Sequence, residues 1–360
     1  MSWRDDRLSR RLTFSPERTE ELYAVVAEID AIKTAFRLTG KLAPQTISRL
    51  TRSVIVTSTG ASNRIEGNRL SDDEVEALYR TLRLRTLKTR DEQEVAGYLE
   101  ALELVLESYA DMKLNEALIL QLHRDMLKYS DRDERQRGAY KFGPNRVEAK
   151  DQDGNVVGVI FDPTPPHLTP KEMNDLVAWL QWSEAENFKH PLIRIGSFIF
   201  EYLAIHPFQD GNGRTSRLLT NLLLLQHGYM FASLASHEKL IEERKSDYYL
   251  ALNRTQGSWK SEKEDIYPWL SFFLSIVKAQ AEIALSLVEA DDIEALLSEK
   301  QLALWRWAQT RNEPTFSRKI AIEALRYPPR TVEAIIKKLV ELKRLQRIGE
   351  GRGARYRVIQ

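Results

Sequence analysis

Apolar residues recur three and four positions apart along most of the chain, the period of helices that each bury one face. The pattern is plain in EELYAVVAEIDAIKTAF, from Glu20 to Phe36, and in DEVEALYRTLRLRTL, from Asp73 to Leu87. Pro44 and its polar neighbours separate the first long helix from a second over Thr46 to Glu66, and Gly67 supplies the left-handed residue that commonly follows a helix end. Further helices are predicted over Pro191 to Ile205 and over Gly213 to Gln226, the latter stopped by Gly228.

Between Gly138 and Pro166 the period changes. Short apolar runs flank Asp153-Gly154 and are closed by three prolines in four residues, which predicts a β-hairpin followed by a rigid extended segment. DQDGN within it is similar to the opening of a calcium loop, yet it lacks the later ligand positions and the closing glutamate, so a turn is expected.

After Ser261, IYPWLSFFLSIV opens an apolar helix that leads into a charged connecting helix. In the last stretch one helix ends near Tyr327, Pro329 opens the next, and LQRIGEGRGARYRV reads as two short strands around a Gly-rich turn. The order helix, turn, helix, wing is that of a winged helix. The expected fold is therefore mainly α, a helical core with one β-hairpin, plus a small C-terminal winged-helix (α+β) domain. Its segments are an N-terminal helical region over 1–112, a core over 113–275, a connecting helix over 276–297 and the winged helix over 298–360.

Charge changes this picture in one respect. The 360 residues carry 53 Lys and Arg against 52 Asp and Glu. Ser298 to Gln360 alone holds 15 basic against 6 acidic residues, net +9, which leaves 38 against 46, net −8, for the rest. The tail is basic and the body acidic. Arg330, Thr331, Lys337 and Lys338 on the second helix of the tail, with Arg352 and Arg355 in the wing, are candidates to meet DNA phosphates, and protein docking is the competing reading. The absence of cysteine excludes disulfides, thiolate metal sites and cysteine nucleophiles. The N-terminus lacks an apolar signal region and no apolar run reaches the ~18 residues of a membrane span, so a cytoplasmic protein without a membrane partner is expected.

The densest chemistry lies in HPFQDGNGRTSR, His206 to Arg217. Gly211, Asn212 and Gly213 fall where a helix begins, and backbone N–H groups there are unpaired and carry partial positive charge. They form an anion cradle. Arg214 and Arg217 are three apart, near enough to one face to hold further phosphate oxygens. Asp210 is a hard oxygen ligand suited to Mg²⁺ bridging such phosphates, and His206 can take a proton from an attacking hydroxyl near neutral pH. Together they point to metal-assisted transfer from a nucleotide to a hydroxyl.

This stretch resembles the Fic family signature, HxFx(D/E)GNGRxxR, at every fixed position. The resemblance implies a protein adenylyltransferase that uses ATP to attach AMP to a Ser, Thr or Tyr hydroxyl of a target protein. It implies that 113–275 is the catalytic core, His206 the general base, Phe208 the loop's anchor, Asp210 the Mg²⁺ ligand and Gly211, Asn212 and Gly213 the anion hole. Arg214 would hold the α- and β-phosphate region and Arg217 the γ-phosphate. The hairpin takes the place of the family's flap, where a target segment pairs as an added strand, with Lys141 and Val147 at its basic and apolar positions. DYYLALNRTQGSW resembles the adenine-pocket segment, with Tyr249 and Gln256 at the two contacting positions.

Upstream, SNRIEGN matches the family's inhibitory pattern (S/T)xxxE(G/N), with Ser62 and Glu66 four apart on one helix face. The resemblance implies that Glu66 pairs with Arg217 in place of the γ-phosphate, so ATP binds without its α-phosphate aligned for attack. Removal of AMP by the same glutamate, self-modification and homodimerisation stay open. Two other readings stand beside the auto-inhibited enzyme: a nucleotide-sensing transcription regulator acting through the tail, and a Fic enzyme that transfers phosphate or another phosphate-containing group.

Overall fold

The computed structural model describes residues 3–38, 44–82, 86–150, 156–311, 313–342, 344–349 and 354–359. The chain divides into two compact units, Met1–Leu285 and Ser286–Gln360.

In the first unit a short helix α1 (Arg7–Arg10) precedes α2 (Pro16–Leu38) and α3 (Pro44–Ile65). Leu50, Val54, Ser58, Ala61, Ser62 and Ile65 recur along α3 at helical spacing and are all buried, so Ser62 faces inward. Gly67 follows with φ +97°, the left-handed conformation that a Cβ disfavours. A capping box between Ser71 and Glu74 starts α4 (Asp72–Thr81). Contrary to the periodic reading through Leu87, α4 stops at Thr81. A second capping box opens α5 (Arg90–Ser108), and the N–H groups of Lys88 and Thr89 donate to Glu92 at 2.7 and 3.0 Å, which takes the chain out of the helix just before it.

After α6 (Glu116–Met126) comes the expected hairpin, β1 (Val147–Lys150) antiparallel to β2 (Val156–Phe161), with Val147 opposite Phe161 and Lys150 opposite Val156. The Asp153-Gly154 turn lies outside the described residues. Next come α7 (Thr169–Ala185), α8 (Pro191–Ile205) and α9 (Asn212–Gln226). Every side chain of α8 from Leu192 to Ile205 is buried, as is α9 from Arg214 to Leu225. This buried pair is the centre of the unit, and the motif loop joins its two helices.

One end of the pair is held by ions. Buried Glu201 of α8 accepts from Arg7 and Arg11 of the N-terminal arm, and Glu264 completes the cluster at 2.7 Å from Arg7 and 2.8 Å from Arg11. The remaining helices are α10 (His237–Glu243), α11 (Lys245–Gln256) and α12 (Tyr267–Leu296). The stretch Tyr267–Glu289 of α12 is long and apolar enough to meet the length and composition of a membrane span, although polar residues such as Lys278 and Gln280 interrupt it. Half of it is buried, and Trp269, Phe272 and Phe273 are among the residues packed in the core.

In the second unit, α13 (Glu299–Gln309) precedes β3 (Phe316–Ser317), α14 (Arg318–Leu325), α15 (Pro329–Glu341), β4 (Leu345–Ile348) and β5 (Arg355–Val358). The strands form an antiparallel sheet in the order β3-β5-β4. Its core includes Leu304, Trp305, Phe316, Ala321, Val332, Ile335, Ile336, Leu339 and Leu345. Arg326 ends α14 in the left-handed conformation and Pro329 starts α15 at its first turn.

Candidate functional site

The motif loop is bracketed by two left-handed residues. His206 closes α8 at φ 53°, ψ 60°, and Gly211 opens α9 at φ 81°. Gly211 is also confined, since a Cβ there would stand 2.7 Å from Met126 Cε. Asn212 ties the loop internally: its Oδ1 accepts from the Phe208 N–H and its Nδ2 donates to the Phe208 carbonyl, both at 2.8 Å. Its side chain is therefore structural, and only its backbone is available to an anion.

The cradle is shifted by one residue from the sequence reading. The Gly211 N–H is taken by Asp210 Oδ1 at 2.7 Å, while the first intrahelical bond of α9 is made by Thr215 to the Gly211 carbonyl. The N–H groups of Asn212, Gly213 and Arg214 are thus the first-turn donors left without intrahelical acceptors.

Two arginines surround this turn. Arg214 is buried, with Nη2 3.4 Å from Asp210 and Nη1 3.7 Å from Glu94, yet its Nε and Nη1 have no hydrogen-bond partner. Arg217 donates from Nε to Ser62 Oγ at 2.8 Å and from Nη2 to the Ser62 carbonyl at 2.9 Å and Glu66 Oε1 at 2.7 Å, while its Nη1 has no partner. Buried cationic donors without acceptors are costly unless an anion completes them.

Glu66 occupies part of that anion position. A Cβ built on Gly213 would lie 2.3 Å from Glu66 Oε1, so the carboxylate rests directly on the helix start. Burial works to raise the Glu66 carboxyl, but Arg217, its hydrogen bond and Arg214 outweigh it and hold the group below the ordinary carboxylate value. The side chain keeps 37% of its surface exposed, so this pair is not sealed from solvent.

His206 faces the same region as a neutral base. Its Nδ1 lies 3.2 Å from the Leu203 carbonyl and donates to it, which leaves Nε2 unprotonated. Burial, with a smaller contribution from Lys141, pushes the ring down to about 4 against the opposing pull of the Leu203 carbonyl and Glu66. Asp210 has 44% of its side chain exposed and engages Arg214 only at 3.4 Å through Oδ2.

Three residues without a distinctive sequence signal hold the loop. His123 stacks on Phe208 at 3.7 Å, accepts from the Gly138 N–H at Nδ1 and donates from Nε2 to the Asp210 carbonyl, each at 3.0 Å. Asn145 Nδ2 donates to the carbonyls of His206 and Phe208 at 2.8 and 2.6 Å, and Glu94 sits between Arg90 and Arg214. Each is remote in sequence from the loop it serves, and spacing carries no trace of such contacts.

Lys141, at the flap's basic position, sits beside the motif loop. It lies ahead of β1, buried, with Nζ donating to the Ile205 carbonyl and Asn145 Oδ1 at 2.9 Å, and burial lowers it to about 8. It braces the motif loop. Val147 begins β1 as expected. Tyr249 and Gln256 share one face of α11 two turns apart; Tyr249 is 46% exposed and packs edge-on to Tyr248 at 5.2 Å.

Residues 113–224 match the Fic/DOC family. The chain carries a Fic/DOC segment. It is 29% identical over 195 residues to the Protein adenylyltransferase fic-1 of Caenorhabditis briggsae, an alignment covering 52% of this chain and 34% of that relative. The chain thus spans about a third of that relative's length. Its fold is similar to a Fic domain containing signaling protein from Bacteroides thetaiotaomicron, with a TM-score of 0.62, 24% identity and coverage of 73% of this chain and 97% of that one. A Fic family protein from Desulfovibrio desulfuricans is similar over 97% of this chain and 98% of its own, with a TM-score of 0.61 and 24% identity. The Fic segment begins just before α6 and ends within α9, so Ser62, Glu66 and the α11 residues lie outside it.

The candidate tail residues belong to the second unit. Arg330, Thr331, Lys337 and Lys338 are on α15 and Arg355 is on β5, whereas Arg352 lies outside the described residues.

Proposed function

We propose that this Fic domain transfers AMP from ATP to a Ser, Thr or Tyr hydroxyl of a protein target, and that Glu66 restrains the transfer. The observation that carries the reading is the neutral His206 imidazole on one loop with a helix start flanked by unpartnered guanidinium nitrogens of Arg214 and Arg217. A base for a hydroxyl and a receptor for several phosphates are what nucleotidyl transfer needs. The name of the Caenorhabditis relative supports the same activity.

In the step, the target oxygen bonds to the α-phosphorus, the bond to the β-phosphate oxygen breaks, and pyrophosphate leaves. The hydroxyl proton passes to His206 Nε2. The N–H groups of Asn212, Gly213 and Arg214 and the two guanidinium groups hold phosphate oxygens. Asp210 fits Mg²⁺ as a single exposed carboxylate, because that ion commonly takes one or two protein carboxylates with substrate phosphates and water. Mg²⁺ supplies charge neutralisation between the phosphates when bound. Tyr249 and Gln256 would flank the adenine, and β1 would receive the target segment as an added strand.

Glu66 competes with the terminal phosphate for Arg217. While that pair stands, the triphosphate is turned and the α-phosphorus is not presented to the hydroxyl.

Intact-mass analysis of wild type, Glu66→Gly, His206→Ala and the double variant of the two, incubated with ATP, Mg²⁺ and a cell lysate, tests the reading. AMP added by Glu66→Gly and lost in a His206→Ala, Glu66→Gly double variant supports it. An added phosphate or phosphocholine would replace it with another transfer, and no added group from folded, nucleotide-binding protein would overturn it.

A further inference from the structure

One buried carboxylate has no part in the transfer step. Glu238, the second residue of α10, has no exposed surface. Its Oε1 accepts from the Tyr98 hydroxyl of α5 at 3.1 Å and from Asn221 Nδ2 of α9 at 2.7 Å, and its Oε2 accepts from the Ser236 hydroxyl at 3.1 Å. Ser236, which caps α10, accepts in turn from the Ser58 hydroxyl of α3 at 2.8 Å. One side chain thus joins four helices. Burial works to raise the Glu238 carboxyl, but His237, the Ser58 hydroxyl, its own backbone N–H and Asn221 hold it below the ordinary carboxylate value.

These contacts form a second rung between α3 and α9. On the first, Arg217 donates to Ser62; on the second, Ser58 is linked through Ser236 and Glu238 to Asn221. Ser58 and Ser62 are four apart on α3, as are Arg217 and Asn221 on α9, so each pair shares a helix face about 6 Å apart along the axis. Two contacts spaced in this way hold a helix against sliding and tilting, which one contact does not. Tyr98 serves both rungs, since its phenol donates to Glu238 and is also acted on by Arg217 and the Ser62 hydroxyl. Burial raises that phenol well above its ordinary value, so it remains a donor. Apolar side chains could fill this space without burying a charge, and what a satisfied polar network adds is a single orientation.

We propose, resting on the reading of Arg217 as receptor of the terminal phosphate, that Glu238 and Tyr98 are positioning residues for that arginine. They set the register of α3 on α9 and so aim the guanidinium at the third phosphate of a nucleotide once Glu66 has left it. Loosening the second rung lets Ser62 shift and Arg217 with it. The contacts to the other phosphates, made by the start of α9 and by Arg214, stay in place.

Titration calorimetry of the full chain with ATP and with ADP, each with Mg²⁺, tests this without a transfer step. The parent is the His206→Ala, Glu66→Gly double variant, chosen so that no transfer consumes the nucleotide, and ADP lacks the phosphate assigned to Arg217. The parent should prefer ATP several-fold. Glu238→Gln, which keeps the shape and removes the charge, and Tyr98→Phe should each lower that preference several-fold with ADP affinity unchanged, and thermal melts report that the variants fold. ATP and ADP affinities that fall together would assign the pair a merely structural part and overturn the proposal, as would a preference unchanged in both variants. A parent without preference for ATP overturns the reading of Arg217 itself and this proposal with it, so the two failures are told apart.

Discussion

The Nζ of Lys245, first residue of α11, donates to the carbonyl of Ile65, last residue of α3, at 2.7 Å. One residue earlier, Arg64 pairs with Glu242 at 2.6 Å and with Asp72 at 2.9 Å. These contacts pin the helix end from which Glu66 reaches Arg217, and Lys245 also stands 6.0 Å over the Tyr249 ring.

The pinning predicts graded release. Glu66→Gly should raise AMP transfer most, while Arg64→Ala and Lys245→Ala should raise it several-fold by loosening the helix end. Initial rates on a mapped target peptide check this. Rates for both variants equal to wild type, beside an active Glu66→Gly, would show that the contacts do not position the carboxylate.

His206→Ala in the released background should lower the transfer rate by about 10²- to 10⁴-fold, the usual worth of a positioned base, with nucleotide affinity preserved. Calorimetric ATP binding beside the rate separates the two effects. Loss of both would assign His206 to binding.

The pH profile follows from the same residue. With the ring lowered to about 4, the imidazole is unprotonated, and so competent as a base, across neutral pH. Removal of Glu66 deletes an influence that raises the ring, so the Glu66→Gly rate should stay flat from about pH 6 to 8 on account of this group and fall only in more acid solution. An inflection near the ordinary histidine value would contradict the burial argument.

Glu201 governs acid stability at the other end of α8. Burial works to raise its carboxyl, but Arg11 and Arg7 hold it down at about 2. A folded value below the unfolded one means stabilisation that is complete above the unfolded value and lost as pH falls toward 2. Glu201→Gln should cost about 3 kcal/mol near neutrality, the scale for breaking a buried pair, and the gap to wild type should narrow in thermal melts taken at falling pH. A gap that stays constant down to pH 2 would refute the assignment.

His123→Ala removes the stack on Phe208 and the bond to the Asp210 carbonyl, leaving the half-buried Gly138 N–H without its acceptor. A loss of about 1 to 3 kcal/mol in stability is expected, with a fall in transfer beyond what the unfolded fraction explains. Rates and melts on the same preparation decide whether the residue positions the loop.

The sequence by itself determined the local devices. Pro329 starts α15, Gly67 and Gly211 take left-handed conformations, and the motif forms a loop between two helices, because each depends on backbone preferences set by immediate neighbours. The family signature added the pairing of Glu66 with Arg217 as an expectation, across 151 residues that no spacing connects. Tertiary structure alone decided that His123, 87 residues from Asp210, holds the motif loop, that Lys141 is buried as its brace, and that the Gly211 N–H turns back to Asp210. Those meetings arise from the summed burial of α3, α5, α6, α8 and α9, and a sum over many weak contacts leaves no signature at any one of the positions it brings together.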